Sequence, residues 1–89
     1  MVAGGGRVKM ARLALGDTPV ATTSGAEPLT VMVGHGGALI LWLREPGSGV
    51  ESTRTFHTVK GPDRLPKRAS SYVGSAQNKS KVYHVFEVE

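Results

Sequence analysis

Between Arg54 and Lys81 the chain carries Arg54, Lys60, Arg64, Lys67, Arg68, Lys79 and Lys81 against a single acid, Asp63. Arginine offers a planar fork that takes two oxygens of a phosphate at once, and lysine supplies a compact point charge. Arg54, Lys60, Arg64, Lys67 and Arg68 therefore form a candidate phosphate site, with the backbone amides of Gly61 and Gly74 as further donors. Aromatic rings stack on bases with little regard to sequence. Tyr72, next to the basic stretch, is the better candidate for that role and Tyr83 the second, while His84 is placed to orient a polar edge or to support its strand. The competing reading of these charges is a solvated basic surface that keeps the protein soluble.

Other chemistry finds less support. His84 alternates with Val82 and Phe86, which favours a partly buried structural histidine, and His35 lies in a glycine-rich turn. No HExxH pattern or close histidine pair occurs and there is no cysteine, so neither a metal site nor a thiol nucleophile is expected. There is no G-x-S-x-G and no P-loop, and GHGG at 34–37 lacks the strand-to-helix context of a phosphate cradle. The acids Asp17, Glu27, Glu45, Glu51, Asp63, Glu87 and Glu89 are scattered, with no pair to divide acid and base roles. A non-enzymatic protein without a cofactor is expected.

The elements that must position these residues read as strands. Apolar residues recur at spacing two or in short blocks bounded by Gly, Pro, Asn or Ser, and no window holds a period of 3.6. About six strands are expected. Arg7 to Leu15 is the first, with a change of parity that places a bulge near Ala11, followed by a turn at Gly16-Asp17. Val20 to Thr23 and Leu29 to Val33 follow, and GHGG then joins the latter to Ala38 to Arg44 in a hairpin. That last strand is apolar on both faces, so it is expected to be central and covered on both, with Trp42 in the core. Ser52 to Lys60 sets Phe56 on one face and Thr55, His57 and Val59 on the other. Residues 61–70 form a basic loop with Pro62 and Pro66. Tyr72 to Ala76 and Lys81 to Val88 make a closing hairpin in which Val82, His84, Phe86 and Val88 share one face. The expected fold is all-β, a small single-domain antiparallel sandwich or partly open barrel over residues 1–89, with 1–6 flexible.

Length and charge bound the answer further. A chain of 89 residues buries a modest fraction of its surface, so a homo-oligomer is expected. The formal charge of +4 favours anionic partners. No apolar run reaches signal-peptide or membrane-spanning length, so a cytoplasmic protein with no membrane partner is expected.

The order LW at Leu41-Trp42, RTF at Arg54–Phe56, LP at Leu65-Pro66, YVGSA at Tyr72–Ala76 and YHVFEV at Tyr83–Val88 resembles a family of short uncharacterised proteins of phages and actinobacteria, a domain of unknown function. Members of that family run through LW, R-x-F, a Gly-rich and Pro-containing loop, Y-V-G-T and a closing W/F-H-L/V-F-E. This chain departs from the pattern in the loop, where VKGPDRLPKR replaces a G-T-G-H-P run, and at Ser75, where threonine is usual. The resemblance implies a phage or prophage origin, a bacterial host cytoplasm and no particular activity. On that basis the expected function is a non-catalytic phage accessory protein that binds and sequesters a small anionic ligand, most simply a nucleotide immune signal. The alternatives are nucleic-acid binding through the same surface and a structural or protein-interaction module.

Overall fold

The computed structural model describes residues 6–47 and 49–89, so the expectation for residues 1–6 falls, except for Gly6, outside the described residues. Among the described residues there are seven strands: β1 (Arg7–Leu13), β2 (Gly16–Thr23), β3 (Glu27–Val33), β4 (Leu39–Glu45), β5 (Glu51–Lys60), β6 (Ala69–Asn78) and β7 (Lys81–Val88). They form a three-stranded sheet ordered β1-β4-β3 and a four-stranded sheet ordered β2-β5-β7-β6. Every pairing is antiparallel, and the sheets do not close into a barrel. The all-β antiparallel expectation is met, with one strand more than the count of about six.

Alternation decides which side chains meet between the sheets. From the first sheet come Leu13, Val31, Leu39, Leu41 and Leu43, and from the second Val20, Phe56 and Val85, all buried in one cluster. Ala11, Val33, Val73, Ala76 and Tyr83 pack against it. Glycine supplies the left-handed backbone at the turn between β3 and β4. Gly36 and Gly37, at φ 76° and 84°, let the β3–β4 hairpin close through a short 3-10 turn.

Several local expectations are corrected. The β1–β4 ladder runs unbroken from Arg7 opposite Glu45 to Leu13 opposite Leu39, so there is no bulge at Ala11. The change of parity arises because β1 carries apolar residues on both faces, Val8 and Met10 on the outer one and Leu13 on the inner one. Gly16 and Asp17 do not turn the chain but open β2, opposite Thr58 and His57. The basic connection is shorter than 61–70, since β6 begins at Ala69. Strand β4 is central, yet only Leu39, Leu41 and Leu43 face the core. Trp42 points outward, is half-buried, and donates its indole N–H to Met32 Sδ at 2.9 Å. On β7 the shared face of Val82, His84, Phe86 and Val88 also points outward, and Tyr83, Val85 and Glu87 point in.

The sheets come closest where β3 lies over β6. A Cβ built on Gly74 would stand 3.4 Å from Val31 Cγ2 and 3.6 Å from the Val31 backbone nitrogen. Methyl size is tolerable there and anything larger drives the sheets apart. Gly74→Ala is therefore expected to cost under about 1 kcal/mol and Gly74→Val about 1–3 kcal/mol in urea unfolding. In the centre of the core, the Thr58 hydroxyl is buried without a hydrogen-bond partner. Thr58→Val removes that unsatisfied group at nearly constant shape and is expected to stabilise by about 1 kcal/mol; a loss of stability on denaturation would show that the hydroxyl is satisfied in solution.

Candidate functional site

The connection from Gly61 to Arg68 determines the geometry of the outer face of the four-stranded sheet. Strands β5 and β6 flank β7 and run parallel to each other, with Lys60 beside Tyr83 and Ala69 beside Val88. The connection must therefore travel the length of β7. Val59 and Val88 both point outward and are yet only 7% and 5% exposed, which places the connection over that face. Its ends are pinned, Gly61 N–H to the Val82 carbonyl at 2.7 Å and Glu89 N–H to the Arg68 carbonyl at 3.2 Å.

Across this face the ladders set Asp17, His57, Phe86 and Tyr72 in one row spanning all four strands, with His84 opposite Ser75 in the next. Tyr72 is 61% exposed and its ring meets Phe86 edge-on at 5.4 Å. The Tyr72 hydroxyl lies 2.7 Å from Ser75 Oγ, and Ser75 Oγ lies 2.7 Å from His84 Nδ1. Run in the sense Tyr72 to Ser75 to His84, each hydroxyl donates onward and the imidazole carries its proton on Nε2. At the other end of the row, His57 Nδ1 donates to Asp17 at 2.6 Å, and Arg68 reaches across to the second oxygen of the same carboxylate. The two hydrogen bonds, from His57 first and Arg68 second, hold the Asp17 carboxyl below its ordinary range.

The residues singled out from the sequence divide between the two sides of this sheet. Tyr72 and His84 stand together on the outer face, with Arg64, Lys67 and Arg68 on the connection that crosses it. Arg64 and Lys67 are exposed and form no ion pair among the described residues, whereas Arg68 is engaged by Asp17. Lys60 has the parity of Phe56 and sits at the exposed end of β5. Arg54 points inward. Its Nε and Nη2 meet both oxygens of Glu87 at 2.7 and 2.8 Å, a further N–H goes to the Ala26 carbonyl, and its guanidinium lies 5.9 Å from the centre of the Phe56 ring. That fork is filled by the protein's own carboxylate. Tyr83 packs against the core, on the opposite face from His84, so the two cannot serve one ligand. Asp17 joins the site without a signal in the sequence, since His57 and Arg68 lie 40 and 51 residues away, and Ser75, marked in the sequence only as standing where threonine is usual, joins it through Tyr72 and His84.

A Ser–His contact also occurs in hydrolases, where a third group orients the imidazole. Here the nearby carboxylate serves His57, and among the described residues none bonds His84. The Ser75 hydroxyl is shared with Tyr72, so the trio is a hydrogen-bond chain that fixes an exposed ring. No group of three or more metal-ligating side chains converges among the described residues.

A second polar constellation lies at the open side of the sandwich, where a cleft of about 460 Å³ is bordered by β1, β2, β5 and the end of β4. At its wall Glu45 is buried, accepting from Thr22 Oγ1 at 2.8 Å and from Arg7 Nε at 3.0 Å, with Lys9 Nζ at 3.7 Å. Lys9 also donates to the Ala21 carbonyl on the free edge of β2. These contacts neutralise the carboxylate and join the sheets; the Thr22 and Arg7 hydrogen bonds outweigh burial and lower the Glu45 carboxyl below its ordinary range. Both Asp17 and Glu45 are thus more acidic folded than unfolded. Their stabilisation is present above the ordinary values of 3.8 and 4.5 and is lost as pH falls through the lowered folded values. In an acid series of thermal melts, Asp17→Asn and Glu45→Gln are each expected to melt lower than wild type at neutral pH and to lose less on acidification. An acid limb as steep as wild type in both would sink this assignment.

No curated protein and no solved structure matches the chain. A family model matches residues 8–89, a range that takes in all seven strands apart from the first residue of β1. With residues 8–89 covered, the chain belongs to the family described as Domain of unknown function (DUF7352).

Proposed function

We propose that the outer face of the four-stranded sheet reversibly binds a small anionic ligand bearing a flat ring, most simply a nucleotide, without chemistry on it. The observation that carries this reading is the Tyr72–Ser75–His84 chain, which holds a 61%-exposed tyrosine in one orientation beside a basic connection. A tyrosine left in water contributes little to folding, and fixing its hydroxyl costs conformational freedom. A ring held ready in this way loses less entropy when a base stacks on it. Arg64 and Lys67 supply the charge for a phosphate, with Arg68 exchanging its hold on Asp17 for the ligand, and the His84 Nε2–H meets a polar edge of the base. In the phage setting that the sequence motifs imply, capture of this kind removes a nucleotide signal of the host.

The reading differs from nucleic-acid binding in a measurable way. The basic connection is short, so contacts to many phosphates are not available, and affinity for a single nucleotide should survive moderate salt. A titration calorimetry panel of mono-, di- and cyclic nucleotides, beside short single-stranded DNA at two salt concentrations, tests it. Arg64→Ala with Lys67→Ala is expected to weaken nucleotide binding at least about tenfold, since one charge-assisted hydrogen bond is worth about 1.5–3 kcal/mol. Tyr72→Ala is expected to cost about 1–3 kcal/mol of stacking. Melting of the arginine–lysine variant should match wild type, because exposed charges add little to stability. No heat with any nucleotide, or binding only of DNA with a steep salt dependence, overturns the reading.

A further inference from the structure

The outer face of the three-stranded sheet gathers three exposed large hydrophobic side chains, Val8, Met10 and Met32, around Trp42. The ladders order it in three cross-strand rows: Val8, Arg44 and Glu27; Met10, Trp42 and Thr30; Arg12, Ile40 and Met32. Val8 and Met10 are 58% and 57% exposed and Met32 is 46% exposed, an unusual concentration of apolar surface for a chain this small. The side chains of the lower rows border a shallow apolar hollow of about 440 Å³.

The charges at the corners of this grid decide what fits on it. Arg12 and Glu27 occupy opposite corners, on β1 and β3, and Val8, Trp42 and Met32 form the other diagonal. Two copies can meet face to face about a two-fold axis in four simple ways, of which the axis along the Arg12–Glu27 diagonal is excluded because it sets each of those charges over its own kind. An axis along the strands sets Arg44 over Arg44 of the second copy, which is repulsive. An axis across the strands sets Glu27 over Met32, Arg44 over Ile40 and Arg12 over Val8, so every charge of the grid is desolvated against an apolar group and none is paired. An axis along the apolar diagonal sets Val8, Trp42 and Met32 each over itself and brings Arg12 over Glu27 twice, leaving only Arg44, over Met10, without a charged partner across the interface. Strands then cross near a right angle, one of the two packings that sheets adopt. Arg12 makes no ion pair among the described residues, and Glu27 is held only loosely by Arg44 at 3.4 Å, so both are available.

We infer that the protein forms a two-fold dimer through this face, with the sheets orthogonal, Trp42 at the axis and Arg12 paired with Glu27 of the second copy on either side. The interface goes beyond the ligand reading and leaves the outer face of the four-stranded sheet uncovered. A three-stranded face offers less than the roughly 800 Å² per partner of a standard complex, so dissociation in the micromolar range is expected.

Sedimentation velocity across a concentration series, with the fluorescence of the one tryptophan in the chain as a second readout, tests the arrangement. Wild type is expected to shift from monomer to dimer, with Trp42 emission moving to the blue as it is covered. Arg12→Glu sets acid over acid at both corners and Glu27→Arg sets base over base, so each alone is expected to remain monomeric while melting as a folded protein. Mixed in equal amounts, these two variants have opposite charges at both corners and should form a heterodimer. A wild type that stays monomeric, variants that dimerise as well as wild type, or a mixture that fails to associate would each overturn the proposal.

Discussion

The close approach of β3 to β6 is the constraint from which the rest of the arrangement follows. Gly74 presents no side chain to Val31, so on that side the two sheets come nearly into backbone contact. A twisted pair of sheets pinned at one seam must splay at the other. The opposite seam, between β1 and β2, is accordingly open, and polar ties span it: Thr22 and Glu45 from strands of different sheets, and Lys9 to the free carbonyl of Ala21. The core fills the wedge between, from Val31 and Val33 at the narrow side to Leu13 and Val20 at the wide one.

That wedge also sorts the charges. Arg7, Lys9 and Arg54 lie where the sandwich needs cations, against Glu45 and Glu87, and their value is structural. A guanidinium held by both oxygens of a carboxylate inside a sandwich has no fork left for a ligand. What remains for recognition is carried outside the wedge. Free edges are guarded by other means: β2 holds Pro19 in the same phase as Ala21, whose carbonyl points away from β5, and β3 carries Pro28 beside an irregularity in its ladder. β6 is broken twice in register. Such devices discourage strand addition and leave the sheet faces as the surfaces on which partners or ligands can be met.

Much of this was legible in the chain. Period-two alternation identified every strand region, and Gly-rich or Asn-Lys-Ser segments marked the hairpins at β3–β4 and β6–β7. The phase was readable in β5, as Phe56 against His57 and Val59 shows, but not in β1, where apolar residues on both faces imitate a bulge. Which phase faces inward was not readable. In β7 both faces carry apolar or aromatic residues, and the side that turns in is fixed by Glu87 meeting Arg54 from 33 positions away. In β4 both faces are apolar, and burial follows from which neighbour supplies a second layer: Leu41 meets the other sheet, and Trp42 meets none. The row that joins Asp17, His57, Phe86 and Tyr72 depends on the strand order β2-β5-β7-β6, which no local pattern encodes.

The two outer faces differ in a way that burial alone does not require. Both back onto the same core through the pleat, and either would fold equally well with small polar residues. Instead one carries methionine, valine and tryptophan with Arg12 and Glu27 at opposite corners and Arg44 beside Glu27, and the other carries two histidines, a held tyrosine and a basic crossing segment. Methionine and tryptophan in water are costly to solubility, and paired hydroxyls on an open sheet restrict side chains that would otherwise move freely. With the two proposed contacts formed, the apolar side would meet a like surface and the polar side a charged molecule, and the sandwich separates the two faces so that neither contact would occlude the other.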